Sequence, residues 1–210
     1  KIYTNINHFI NTGNPTLLYD APHNAEKNST LKKEENFILF IIGGSQGSVP
    51  INNHFVENYK KYIKMGVRII WQCGDKNISE IKQIVDDDNV VLYGFIDPNE
   101  MIHYYNMADL VISRSGALTL SELANFNVPS ILIPFPYSAN NHQFYNAKYF
   151  YSKKSAQIVL QDELNEGLLE KKFEKIINNP EILKSMRKEI KKIARPNAAE
   201  LIANQIMGAC

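Results

Sequence analysis

With 210 residues, 44% hydrophobic and 21% charged, the chain can bury one large core or two small ones and is too apolar to be disordered. Its 23 basic and 22 acidic side chains leave a formal charge of +1, which gives no electrostatic reason to expect nucleic acid. Cys73 and Cys210 are far apart and unpatterned, which argues against a disulfide framework or a zinc site and fits a reducing cytosol; no apolar run is long enough for a membrane span.

Residues 1–36 lack sustained periodicity, are rich in Asn, Thr, Lys and Pro, and carry Gly13-Asn14-Pro15 and Ala21-Pro22 as turn signals, so they read as a linker or lead-in. The chain opens on Lys1 rather than Met, which suggests a piece of a longer polypeptide. From Phe37 to the end, short apolar runs alternate with amphipathic stretches. The pattern predicts strand Ile38–Ile42, helix Ile51–Met65, strand Arg68–Cys73, helix Ile78–Asp86, strand Val90–Leu92, helix Asn99–Met107 and strand Leu110–Ser113. It continues with helix Leu118–Phe126, strand Ser130–Pro134, helix Asn141–Ser152, strand Ala156–Val159 and helices Leu164–Asn178, Glu181–Ala194 and Ala198–Met207. The first helix places Ile51, Phe55, Tyr59, Tyr62 and Ile63 on one side. Continuous apolar strands alternating with helices imply an α/β fold, a Rossmann-like parallel sheet with helices on both faces. In the penultimate helix Lys184, Arg187, Lys188, Lys191, Lys192 and Arg195 read as a solvated face.

Ligands of such sheets bind outside the carboxyl ends of the strands, which directs attention to the loops there. Gly43-Gly44-Ser45-Gln46-Gly47-Ser48 follows the first strand as a glycine-rich turn, where Gly44 and Gly47 let backbone N–H groups approach a ligand and Ser45 adds a hydroxyl. It is neither G-x-G-x-x-G nor a P-loop, which disfavours NAD and ATP hydrolysis. Trp71, near the end of the second strand, reads as core. After the third strand, the extended backbone before Pro98 offers the N–H and C=O of Ile96 to a planar base edge, unless Phe95 and Ile96 simply cover the sheet end.

The segment from Ser113 to Glu122, S-R-S-G-A-L-T-L-S-E, sets a polar glycine turn between a buried strand and a helix. A helix starting there leaves its first N–H groups unpartnered and aims its positive end at the crevice, which suits an anion. Glu122, one turn beyond Leu118, can accept hydrogen bonds from a diol beside that anion. Phosphate plus diol describes a nucleotide; the competing reading is that Ser115 merely caps the helix. After the fifth strand, Ser138-Ala139-Asn140-Asn141-His142-Gln143, with Asn146 following, delivers amides suited either to sugar hydroxyls or to ordinary helix capping by Asn140 or Asn141. His142, with no carboxylate beside it in the motif, reads as a polar contact.

G-G-S-Q-G (43–47), G-F-I-D (94–97), R-S-G-A-L-T-L-S-E (114–122), N-V-P (127–129), I-P-F-P (133–136) and H-Q-x-x-N-A (142–147) occur in order. Together they resemble the carboxy-terminal half of the MurG family, inverting bacterial glycosyltransferases of family 28. The resemblance implies half of a GT-B fold holding UDP-N-acetylglucosamine, with N-acetylglucosamine passed to a lipid-linked muramyl-pentapeptide acceptor in peptidoglycan synthesis. It implies Ser45 by the donor phosphates, Ile96 at the uracil, Ala117, Leu118 and Thr119 along phosphate and sugar, and Glu122 on the ribose. It further implies Leu120 and Ser121 in the donor loop, Gln143 on the donor sugar, and Gly44, Gly47, Arg114, Gly116 and Asn146 in support. No cofactor and no metal is implied, in keeping with the lack of an Asp-x-Asp element around these loops.

The family's amino-terminal half, with its acceptor site, its membrane-associating patch and its candidate base, has no counterpart in residues 1–210. The resemblance therefore implies that domain and a cytoplasmic membrane face as partners. Where the family follows Gly-Asn-Pro with Val and Arg, Gly13-Asn14-Pro15 is followed by Thr16-Leu17-Leu18, so the resemblance does not carry the arginine contact over to this sequence. Other readings are a different GT-B transferase or sugar-nucleotide epimerase, or a non-catalytic nucleotide-sugar-binding module.

Overall fold

The computed structural model describes residues 11–16 and 36–208. Its elements are β1 Phe37–Ile42, α1 Val49–Lys64, β2 Val67–Gln72, α2 Ile78–Ile84, β3 Val90–Tyr93, α3 Pro98–Met107 and β4 Leu110–Ser113. They continue as α4 Ala117–Asn125, β5 Ser130–Leu132, α5 His142–Ser152, β6 Ala156–Ile158, α6 Leu168–Ile177, α7 Pro180–Lys191 and α8 Ala198–Gly208. Each expected strand and helix is present. The lead-in falls mostly outside the described residues, as do Ala21-Pro22, Leu17, Leu18 and Cys210.

The strands form one parallel sheet in the order β3-β2-β1-β4-β5-β6. Register aligns their carboxyl ends in a row: Tyr93 beside Gln72, Gln72 beside Ile42, Ile42 beside Ser113, Ser113 beside Leu132 and Leu132 beside Ile158. The order reverses between β1 and β4, so the loops leaving these neighbours diverge and open a crevice there. The period-two alternation of β1 sends Leu39 and Ile41 to one core, with Phe55, Tyr62, Trp71 and Phe173. Ile38, Phe40 and Ile42 enter the other, with Tyr105, Leu123 and Ile190. A fully buried side chain of this size contributes about 1.5–3 kcal/mol, so both faces of the sheet are held firmly beneath the crevice.

Local chemistry sets the element ends. Asp97 caps α3 by accepting from the N–H groups of Asn99 and Glu100 at 2.8 and 3.1 Å, and Pro98 opens the helix. Asn127 turns the chain out of α4 with a φ of 56°, after which Val128 N–H donates back to Leu123 C=O at 3.0 Å. Trp71 is core, its indole N–H donating to Asn52 Oδ1 at 3.2 Å.

The expected helix Leu164–Asn178 is two pieces: a 3-10 turn at Asp162–Glu166, then α6, divided at Gly167 with φ 70°. Lys184, Lys188, Lys191, Lys192 and Arg195 are exposed as expected, whereas Arg187 is partly buried and pairs with Asp109 Oδ1 at 3.0 Å. Met186 and Ile190 bury the other side of α7.

Candidate functional site

The crevice is built from loops on neighbouring strands. After β1 the chain turns through Gly44 and Gly47, both with positive φ, and leaves Ser45 exposed. A side chain on Gly47 would meet Cys73 O at 1.9 Å, so this glycine serves loop packing rather than approach to a ligand; the space beside Gly44 is open. Gln72, at the end of β2, joins two loops by donating from Nε2 to Gly44 C=O at 2.9 Å and accepting from Ile96 N–H at 3.3 Å. The N–H of Ile96 is therefore engaged inside the chain, which corrects the expectation that both its backbone groups face a base edge. Its carbonyl carries no hydrogen bond to the described residues.

The turn after β4 is pinned from several sides. Arg114 donates from Nη1 to the carbonyls of Ile133 and Pro134 at 3.1 and 3.2 Å. From Nη2 it donates to Ser48 Oγ at 2.8 Å and Gln161 Oε1 at 2.6 Å, and its guanidinium lies over the Phe135 ring. Every hydrogen-bond acceptor of Arg114 is a neutral oxygen. Burial pulls its pKa down to about 10, so it stays cationic near neutrality.

Ser115 is buried and does not cap α4: its Oγ donates to Gln143 C=O at 2.8 Å, while its own C=O accepts from Asn146 Nδ2 at 3.1 Å. Gly116 occupies the N-cap position with extended backbone and no side-chain cap. The first ladder bond is Leu120 N–H to Gly116 C=O at 3.0 Å, which leaves the amides of Ala117, Leu118 and Thr119 outside the helix ladder. Ala117 and Leu118 are exposed and the space beside Gly116 is open. With no partner among the described residues, these three amides at the positive end of a helix make an anion seat at the crevice.

On the next turn, Glu122 Oε2 accepts from the Tyr105 hydroxyl at 2.9 Å, and Oε1 has no partner among the described residues. Burial raises the Glu122 pKa, while the Tyr105 bond opposes that rise. Tyr105 is buried and its own pKa is pushed well up, so it remains a neutral donor.

Leu120 and Ser121, expected in the donor loop, point elsewhere. Leu120 is 4% exposed and in the core. Ser121 Oγ donates to Ala117 C=O at 3.0 Å and accepts from Asn14 Nδ2 at 3.1 Å, so it holds the Gly13-Asn14-Pro15 segment against α4.

At the start of α5, Asn140 and Asn141 adopt φ of 50° and 55°, a left-handed conformation that asparagine tolerates, and neither caps the helix through its side chain. His142 Nδ1 contacts Ala139 C=O at 2.9 Å and stays exposed. Gln143 Oε1 accepts from Phe135 N–H at 3.1 Å, and its Nε2 has no partner among the described residues. The structure thus brings together Gly44, Ser45, Gly116, Ala117, Leu118, Thr119, Glu122 and Gln143 on loops of one sheet edge, braced by Arg114 and Asn146. Gln72, Tyr105 and Gln161 were missed by sequence reasoning; a polar residue ending an otherwise apolar strand is the signal that marks Gln72. Among the described residues no group of three or more His, Cys, Asp or Glu has the geometry to hold a metal ion, and no helix is long and apolar enough to cross a membrane.

Residues 38–202 match the family described as glycosyltransferase family 28 C-terminal domain. The chain is 36% identical over 197 residues to the UDP-N-acetylglucosamine–N-acetylmuramyl-(pentapeptide) pyrophosphoryl-undecaprenol N-acetylglucosamine transferase of Thermodesulfovibrio yellowstonii, covering 91% of this chain and 53% of that protein. It is 37% identical over 184 residues to the protein of the same name from Campylobacter hominis, covering 86% and 51% respectively. The crystal structure of Acinetobacter baumannii MurG superposes with a TM-score of 0.75 at 28% identity, over 82% of this chain and 50% of that one. A UDP-N-acetylglucosamine 2-epimerase structure from Listeria monocytogenes shares the fold alone, at 13% identity and a TM-score of 0.58. The chain spans about half the length of the curated relatives it matches.

Proposed function

The chain belongs to the glycosyltransferase family 28 C-terminal domain family, and from that premise we propose that it is the donor-holding half of an N-acetylglucosaminyltransferase. Its donor would be UDP-N-acetylglucosamine and its acceptor a lipid-linked N-acetylmuramyl-pentapeptide, the substrates that the relatives' names carry. The observation that carries this reading is the pairing of the free amides of Ala117, Leu118 and Thr119 with the half-committed carboxylate of Glu122 one turn later. The pyrophosphate sits on the amides, the ribose hydroxyls donate to Glu122 Oε1, and the sugar reaches Gln143 Nε2. Ser45 adds a hydroxyl on the facing loop, and the Ile96 carbonyl offers an acceptor to the base.

In the reaction, the acceptor oxygen forms a bond to the anomeric carbon as the bond from that carbon to the pyrophosphate oxygen breaks. The electron pair leaves with UDP, and the acceptor proton passes to a base in the portion of the relatives that this chain does not span. Negative charge grows on the departing pyrophosphate, where the fixed amides of α4 and the nearby cation of Arg114 favour it most. Attack opposite the leaving group inverts the centre. The same unspanned portion carries the acceptor lipid and the contact with the cytoplasmic membrane face.

Calorimetry of the chain with UDP and UDP-N-acetylglucosamine tests the reading. Glu122→Ala is expected to weaken both by about 1.5–3 kcal/mol, the range for hydrogen bonds to a charged group. Equal affinity of variant and parent would remove Glu122 from the ribose.

A further inference from the structure

Gln72 ends β2 beside Ile42, on the side of the sheet that carries Phe40 and Ile70, and is only 2% exposed. A buried carboxamide is costly unless it is hydrogen-bonded, and both ends of this one are engaged by backbone. Nε2 donates to Gly44 C=O at 2.9 Å and Oε1 accepts from Ile96 N–H at 3.3 Å. Because β2 lies between β1 and β3, one side chain reaches the loop after each neighbour. Holding Gly44 C=O fixes a whole peptide plane. In a trans peptide the carbonyl and the following N–H point in opposite directions. With its carbonyl drawn toward buried Gln72, the plane aims the Ser45 N–H away from the core, where Ser45 is exposed. That N–H has no partner among the described residues. Gly44, with φ 88° and open space where a Cβ would stand, leaves the plane free to rotate unless it is held. Gly47 N–H also donates to this carbonyl at 3.0 Å, but that bond lies within the turn and moves with it, whereas Gln72 ties the turn to the sheet.

We infer that Gln72 is a positioning residue of the donor site: it locks the Gly44–Ser45 peptide with its N–H presented to an anionic oxygen, and it anchors the loop whose Ile96 carbonyl meets the base. The inference rests on the donor reading above and adds to it a residue that acts from beneath the ligand. Packing alone does not account for an amide here. A leucine or methionine would fill the same apolar row without the desolvation cost. Both bonds leave one planar group, so a displacement of either loop is felt by the other. The loop given to the phosphates and the loop given to the base therefore keep a fixed separation. That suits a nucleoside diphosphate, whose base and phosphates are joined through one ribose; a simple anion has no such requirement.

The test is calorimetry and backbone NMR of the chain titrated with UDP, as parent, Gln72→Met and Gln72→Glu. UDP shifts at Ala117–Thr119 in the parent judge the donor reading by itself, and their absence would remove that reading and the role of Gln72 with it. Gln72→Met keeps an unbranched side chain in the apolar row and removes both bonds. UDP is expected to bind it roughly tenfold more weakly, as for one hydrogen bond to a charged group, with the Ser45 amide response lost while Ala117–Thr119 still respond. Gln72→Glu is nearly isosteric and carries the decisive readout. The ionised carboxylate still accepts from Ile96 N–H but cannot donate to Gly44 C=O, whereas the protonated carboxyl can do both. The UDP affinity of this variant, taken relative to the parent at the same pH, is therefore expected to rise several-fold as pH falls and the introduced carboxyl gains its proton. A side chain that served packing alone would give a ratio independent of pH. A flat ratio, UDP affinity of Gln72→Met within about twofold of the parent, or a Ser45 amide that responds equally in all three proteins would overturn the role even with UDP binding intact.

Discussion

The Tyr105 hydroxyl donates to Glu122 Oε2 at 2.9 Å, so a buried phenol on α3 fixes one oxygen of the carboxylate and leaves the other without a partner among the described residues. Tyr105→Phe keeps the ring packing against Phe40 and Phe126 and removes only the bond. The freed carboxylate loses its orientation, and UDP affinity is expected to fall by about 0.5–1.5 kcal/mol. Calorimetry on a variant whose unfolding temperature is close to the parent's reads this directly; unchanged affinity would show that the orientation is set by other contacts.

Burial holds the Glu122 pKa above the ordinary glutamate value. Diol hydroxyls donate to the ionised form, so UDP affinity is expected to fall as pH drops through that raised pKa. Stability runs the other way. A carboxyl whose folded pKa is raised contributes stability that is fully present below its unfolded pKa and lost as pH rises through the folded value. Relative to the parent, Glu122→Gln should gain stability as pH rises and should lack this component of the UDP pH profile. Parallel calorimetric and thermal-melt series across the acid range measure both slopes.

Arg114 fixes three loops through hydrogen bonds to Ser48, Ile133, Pro134 and Gln161. A lysine offers one nitrogen and cannot fork to acceptors on separate loops. Arg114→Lys is expected to cost about 1.5–3 kcal/mol of stability and to weaken UDP-sugar binding as well. Urea unfolding gives the first quantity; a melt indistinguishable from the parent would mean that the loops hold without the fork.

Gly44 and Gly47 have nearly the same φ, 88° and 78°, but different surroundings. An added Cβ at Gly47 meets Cys73 O at 1.9 Å, whereas at Gly44 it meets nothing within 4 Å. Gly44→Ala is expected to cost about 1 kcal/mol from the left-handed backbone alone, and Gly47→Ala clearly more because β1 and β2 loops must part. Thermal unfolding of the pair, with equal losses as the contrary result, separates backbone strain from loop packing.

The sheet, its helices and the carboxyl-edge loops were legible because apolar strands, glycine turns and helical spacing are local signals. What was not legible depends on rotation and distance. Leu120 and Ser121 lie in the same motif as Ala117 and Glu122, but the turn of α4 sends Leu120 into the core and Ser121 toward Asn14. Ser115 looked like a cap because its own sequence neighbourhood could not show that Gln143, on α5, takes its hydroxyl. The partners of Arg114 come from segments far apart in the chain, and Gly167 divides a helix whose apolar spacing runs past it.

The claim that the start of α4 is the pyrophosphate seat is tested most directly by following the backbone amides of Ala117, Leu118 and Thr119 during titration of the chain with UDP-N-acetylglucosamine. Large, saturable shifts at these amides are the expected result. Binding that leaves them unmoved while shifting amides elsewhere would contradict it.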